Sequence, residues 1–189
     1  MNVREMLREG IRAGWSWMRS DRGLLLWAVL VGTASGLLAV VMKQSVGGLR
    51  SVMFAIQSWV GGSWFLALGP ILGLTATAYV VKYVLGGDHP GPGIPSTLHA
   101  ISTRRGRVKR TWMFAPVITS VLSVGFGGSG GLEAPAMQAG AAMGSEVASQ
   151  TRRHFRRRLL LIGCAAAGSL AAMFKAPVAA IVFAVEVIM

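Results

Sequence analysis

Charge is scarce in this chain, and acidic charge is scarcest. Only 14% of its 189 residues are charged, and seven Asp and Glu face nineteen Lys and Arg. A soluble domain of this length carries roughly 25% charged residues, so an ordinary soluble globular protein is excluded. There is one cysteine, Cys164, set in an apolar run. That rules out an intramolecular disulfide framework and a zinc-thiolate cluster. His89, His99 and His154 have no metal-ligand spacing. Ser129 has no evident base partner, so the pattern of a hydrolytic site is missing. No stretch alternates with the period of a strand. What remains is apolar and basic: 53% hydrophobic residues, a mean hydropathy of +0.56 and a net charge of +12. That combination belongs to a membrane protein with cationic loops.

The basic residues are clustered. Arg4, Arg8, Arg12, Arg19 and Arg22 lie in the N-terminal stretch, a second group spans residues 104–110, and a third spans 152–158. Only Lys43, Arg50, Lys82 and Lys175 fall elsewhere. Residues 23–42, 51–81 and 111–132 carry no charge. Each run has the roughly 20 residues that a helix needs to cross a bilayer. Nucleic-acid binding would explain the clusters but not the uncharged runs between them. Because each cluster abuts an apolar run, the better reading is orientation, with all three clusters and the N-terminus on the cytoplasmic side. Residues 1–22 read as an amphipathic surface helix, with Trp15, Trp17 and Met18 near the interface. Residues 23–189 read as the membrane domain.

The coarse reading is all-helical. Spans are expected at about 23–48, 64–85 (kinked by Pro70) and 109–126, with a connection bracketed by Gly47-Gly48 and Gly61-Gly62 that holds helix at 50–59. Shorter helices are expected at 94–103, 134–150, 156–173 and 177–189. Short helices broken by Gly and Pro at membrane depth are tolerated only where protein or a water-filled cavity surrounds the freed backbone. Transporters use them to aim positive helix N-termini at anions. Gly32/Gly36 and Gly140/Gly144 are small-xxx-small pairs suited to close helix packing.

Gly125-Phe126-Gly127-Gly128-Ser129-Gly130 matches the dinucleotide fingerprint, but that site requires a strand before it, and a helix of membrane length stands there instead. The glycines point rather to the residues that follow. Glu133 is isolated in apolar surroundings at a helix start, and a carboxylate at membrane depth is a functional candidate by default. Gly91-Pro92-Gly93-Ile94-Pro95 opens one short helix and Gly131-Leu132-Glu133-Ala134-Pro135 opens another. Each has Pro in the first turn, where a missing N–H costs nothing. Two such N-termini converging would hold a dehydrated anion.

These segments resemble the CLC family of chloride channels and proton-coupled chloride antiporters. The first is similar to the family's G-S-G-I-P. The second, with Gln138-Ala139-Gly140 after it, is similar to G-R-E-G-P and Q-I-G. A third, Phe174-Lys175-Ala176-Pro177-Val178-Ala179-Ala180-Ile181-Val182-Phe183, is similar to F-N-A-P-L-A-G-I-L-F. The three occur in the family's order. The resemblance implies an all-α integral membrane protein: the N-terminal half of the CLC fold, with tilted and broken helices whose N-termini converge on an anion site. It implies Glu133 as the gate, displaced by protonation or by an anion. It implies Gly91, Pro92, Gly93, Ile94, Gly131, Leu132 and Ala134 as anion-binding positions. Chloride is the implied ligand, with no cofactor, in a plasma (inner) membrane, and the complete subunit would pair as a homodimer.

Four departures qualify the resemblance. Pro92 replaces the family's serine, and because some plant members with proline there resemble nitrate transporters, nitrate is an alternative anion. Leu132 and Ala134 replace an arginine and a glycine, leaving the surroundings of Glu133 less positive. After Glu186, Val187 replaces the glutamate that handles intracellular protons in antiporters, which favours channel-like or weakly coupled transport over proton-coupled antiport. The G-x-F-x-P helix and the late tyrosine of the family's second half do not occur, so the chain reads as a fragment. A non-transporting helical scaffold would explain the hydropathy and the small residues. It would not explain two glycine-rich helix starts beside a lone carboxylate.

Overall fold

A computed structural model of the chain describes residues 21–60, 64–86, 93–103, 106–151 and 154–188. The N-terminal helix expected before residue 21 lies outside the described residues, as do Gly91 and Pro92. The described residues form helices and contain no strand. In chain order they are α1 (Asp21–Val60), α2 (Trp64–Tyr79), α3 (Gly93–Thr103), α4 (Ala115–Gly125), α5 (Glu133–Gln150), α6 (Phe155–Phe174) and α7 (Pro177–Ile188). A π-helical turn, Val80–Val84, continues α2, and a short 3-10 turn, Arg110–Met113, precedes α4.

Two expectations are corrected. The break at Gly47-Gly48 does not exist, because α1 runs unbroken to Val60. Glycine costs a helix about 1 kcal/mol relative to alanine, whereas interrupting the backbone ladder in hydrocarbon costs several. Nor is 109–126 one span. The 3-10 turn ends at Met113, and α4 is only 11 residues long. Pro116 sets its start, since a proline in the first turn forfeits no helical hydrogen bond. Eleven residues rise about 16 Å, roughly half the hydrocarbon thickness. Among the described residues, α1 over Gly23–Trp59 and α6 over Phe155–Phe174 are the helices long and apolar enough to cross. One face of α1 leaves Leu25, Val29, Leu37 and Val41 exposed, as a lipid-facing surface would.

α6 is the central helix, packed by α1, α5 and α7. The contacts are close because small residues meet. Ser35 Oγ donates to Ala165 O at 2.6 Å. A Cβ on Gly36 would stand 3.2 Å from Gly168 O, and one on Gly168 would collide with the backbone of Gly32. Further along, Lys43 Nζ reaches Met173 O. Numbers rise together on the two helices, so α1 and α6 run parallel. On the other side, a Cβ on Gly140 would lie 2.8 Å from Ala165 O, and one on Gly144 would lie 2.5 Å from Leu161 O. α5 and α6 therefore run antiparallel. Both small-xxx-small pairs serve the packing that the sequence indicated.

These directions sort the ends of the helices. The starts of α1 and α6 share one end with the finish of α5. The loop that follows α3 is tied to that end: Ser145 Oγ donates to Gly106 O at 2.6 Å and accepts from Val108 N at 2.9 Å. Arg110 Nη2 pairs with Glu146 Oε1 at 2.5 Å. The second and third basic clusters thus meet at one end, and α1 begins there too. The N-termini of α3, α5 and α7 lie away from it.

Candidate functional site

Each motif opens a helix with a proline in its first turn: Pro95 in α3, Pro135 in α5 and Pro177 in α7. Proline lacks an N–H and has φ preset for a helix, so it fixes where each begins. α6 stops just before α7. Lys175 adopts a left-handed conformation (φ 54°, ψ 31°), and Ala176 before Pro177 is steered away from helix.

The first two motifs touch. Gly93 has φ +46°, and a Cβ there would stand 2.9 Å from Ala134 Cβ. Residue 93 therefore needs glycine twice over, for its backbone angle and for the close approach. One helical turn further in, Gln138 Nε2 donates to Ser96 Oγ at 2.8 Å, and Ser96 Oγ donates to Gly93 O at 2.7 Å. This half-buried link ties the start of α3 to α5.

The second and third motifs share a cavity of about 500 Å³, lined by Glu133, Leu170, Phe174, Ala176, Ala179, Ala180 and Phe183. Glu133 is half-buried and is the only ionisable residue in that lining. Leu132 precedes it, and no side chain caps the first turn of α5. The helix start keeps its positive end for the Glu133 carboxylate. Oε2 of Glu133 folds back over residue 131, into the space a side chain there would occupy.

The glycines before Gly131 have packing duties. A Cβ on Gly125 would lie 2.5 Å from Leu49 Cδ2, and one on Gly128 would lie 2.5 Å from Ser123 O. Gly127 has φ +95°. They fold the end of α4 against α1 and α2, which brings the chain to Gly131 and Glu133.

Of the sequence-derived positions, Gly93, Gly131, Leu132, Glu133 and Ala134 gather around the starts of α3 and α5. Ile94 is the second residue of α3. Leu132 packs against Ala39, Met42, Ala136 and Met173. Val187 is separate: it is half-buried near the end of α7, packed against the cluster of Met137, Ile162, Ala166 and Ala184, while Glu186 is exposed. Leu170 carried no expectation from the sequence, and Phe174 and Phe183, which open and close the third motif, were given no site role there.

A family model described as voltage gated chloride channel matches residues 72–189. An H(+)/Cl(−) exchange transporter ClcA of Klebsiella pneumoniae is 32% identical over 175 residues, which cover 89% of this chain and 37% of that protein. Its counterpart in Salmonella paratyphi B is 30% identical over 191 residues, covering 97% of this chain and 40% of the relative. The chain thus spans less than half the length of these curated relatives.

Proposed function

Since the chain belongs to the voltage-gated chloride channel family, we propose that it carries the glutamate-bearing portion of an anion-transporting membrane subunit, with Glu133 as its gate. One observation carries this reading: Glu133 stands at an uncapped helix start, in an otherwise apolar cavity shared by the second and third motifs. Such a start attracts an anion, and a tethered carboxylate competes for the same place. Gly93, Ile94, Gly131, Leu132 and Ala134 contribute backbone to the anion path, together with Gly91 and Pro92. Chloride is the anion, and nitrate is the alternative that Pro92 raises. No cofactor takes part. The subunit sits in the plasma (inner) membrane as a homodimer, with residues 1–22 and the basic clusters on the cytoplasmic side. The common end of the two described clusters and of α1 supports that orientation.

Transport is channel-like or weakly proton-coupled. Val187 supports this, because its side chain packs on an apolar cluster and has no proton to relay. The second reading is proton-coupled exchange, which the names of the relatives favour. Reconstituting the full-length protein in liposomes and recording chloride efflux with proton uptake decides between them. Chloride movement without stoichiometric proton movement supports the first reading. A fixed ratio of the two supports the second. Pro92→Ser, compared in chloride and in nitrate, tests the anion preference: equal fluxes before and after the substitution remove nitrate from consideration.

A further inference from the structure

We propose that the basic end of the molecule is a binding surface for anionic phospholipid headgroups, built from the loop 106–110, the first turn of α6 and Lys82. The proposal stands on the packing of the chain and not on the transport reading. Arg156, Arg157 and Arg158 lie in the first turn of α6. Arg107, Lys109 and Arg110 lie on the loop that Ser145 Oγ pins at Gly106 O and Val108 N. The two groups meet: Arg158 is buried, and a Cβ on Gly106 would stand 3.0 Å from its Cδ. Arg107, Lys109, Arg110 and Arg156 are exposed around that contact.

Acidic charge does not balance this end. Among the described residues the carboxylates are Asp21, Glu133, Glu146 and Glu186. Glu133 lies away from it at the start of α5, and Glu186 is near the finish of α7. Asp21 opens α1 at the basic end, and Glu146 is engaged by Arg110. The first turn of α6 contains no acidic residue, so its three arginines face the positive end of their own helix. Like charges held together in this way create a potential that attracts an anion. Arginine's planar fork matches the oxygens of a phosphate.

Depth in the bilayer selects the anion. α6 is long and apolar enough to cross from Phe155 onward, so its first turn stands at the edge of the hydrocarbon, level with the lipid phosphates. Phe155 and Leu160 are exposed on either side of the arginines and offer apolar surface to the acyl chains. The finish of α2 reaches the same level. A Cβ on Gly69 would meet Phe126 O, and one on Gly73 would meet Leu122 O, so α2 and α4 run antiparallel. The turn Val80–Val84 therefore lies toward the turn Arg110–Met113. There Lys82 Nζ stands 5.4 Å from the centre of the Tyr83 ring, and the Tyr79 and Tyr83 rings are 4.6 Å apart and exposed. Exposed tyrosines beside a lysine mark the boundary between water and lipid. Basic clusters at that boundary recognise anionic headgroups. Orienting the protein in the membrane asks only for charge on the loops, and the experiment separates the two roles.

The full-length protein in phosphatidylcholine bilayers, with a trace of spin-labelled phosphatidylglycerol or spin-labelled phosphatidylcholine, gives the immobilised fraction of each lipid by electron paramagnetic resonance. At low ionic strength the protein should prefer phosphatidylglycerol by about two- to fivefold, and added salt should reduce the preference. Arg107→Gln combined with Arg156→Gln should remove about half of it or more. Lys175→Asn takes a charge from the far end of α6 and keeps a residue that tolerates a left-handed backbone, so it should leave the preference in place. If the double variant does not fold, Arg107→Gln alone, on an exposed loop position, makes the comparison. Equal immobilisation of the two lipids by the unsubstituted protein overturns the proposal. So does a preference that the arginine variants retain, which leaves these residues with orientation alone. A preference lost equally in Lys175→Asn reflects net charge and overturns the surface as well.

Discussion

Oε2 of Glu133 lies where the Cβ of residue 131 would stand, so the resting place of the carboxylate depends on residue 131 being glycine. The chain folds this carboxylate back over its own backbone at the start of α5. Gly131→Ala should displace the carboxylate and shift the pH dependence of chloride flux. Gly130→Ala is the control, because a Cβ there would meet only Val124 Cγ2 at an ordinary 3.5 Å. Flux recorded across pH for both variants checks this, and matching profiles would show that Glu133 does not need the space.

Gly168 is the tightest point between α1 and α6, where a Cβ would stand 2.9 Å from Gly32 Cα. Gly168→Ala should destabilise the protein by roughly 1–3 kcal/mol through overpacking. Gly47 and Gly48 have open space around them within the same long helix. Gly47→Ala should therefore be neutral or stabilising by up to about 1 kcal/mol. Thermal unfolding in detergent should move the two melting temperatures in opposite directions.

The Arg110 guanidinium holds the Glu146 carboxyl below the usual carboxylate range, chiefly through their hydrogen bond. The folded state therefore favours the ionised acid. Its contribution is in place at neutral pH and is lost as pH falls through the lowered value. Arg110 is 76% exposed, so the effect is small. Limited proteolysis of residues 104–110 should run faster in Glu146→Gln than in the unsubstituted protein at pH 7, and the gap should close on acidification.

Much of this arrangement was legible because proline and glycine punctuate the chain. Pro95, Pro135 and Pro177 marked the starts of α3, α5 and α7 to within a residue or two, since a ring without an N–H is best accommodated in the first turn. The packing roles of Gly32, Gly36, Gly140 and Gly144 were legible for a similar reason, because small residues spaced by a turn have few other uses in lipid. The same signals misled at Gly47-Gly48. Glycine permits a break but does not force one, and the cost of exposed backbone in hydrocarbon decided the matter. The uncharged run 111–132 looked like a span because hydropathy does not register that Pro116 falls in the first turn of a new helix. The bonds from Lys43 to Met173 and from Arg50 to Val124 bridge distant parts of the chain. Their one sequence signal was the isolation of two cations in runs otherwise free of charge.

Glu133→Gln tests the central claim most directly. The amide keeps the shape of the side chain and removes the negative charge proposed to compete with an anion at the start of α5. Chloride efflux from liposomes holding the full-length protein should lose most of its dependence on pH across the range in which the unsubstituted protein responds, with flux held near its protonated-state level. A Glu133→Gln protein that folds, conducts and keeps an unaltered pH profile would contradict the account.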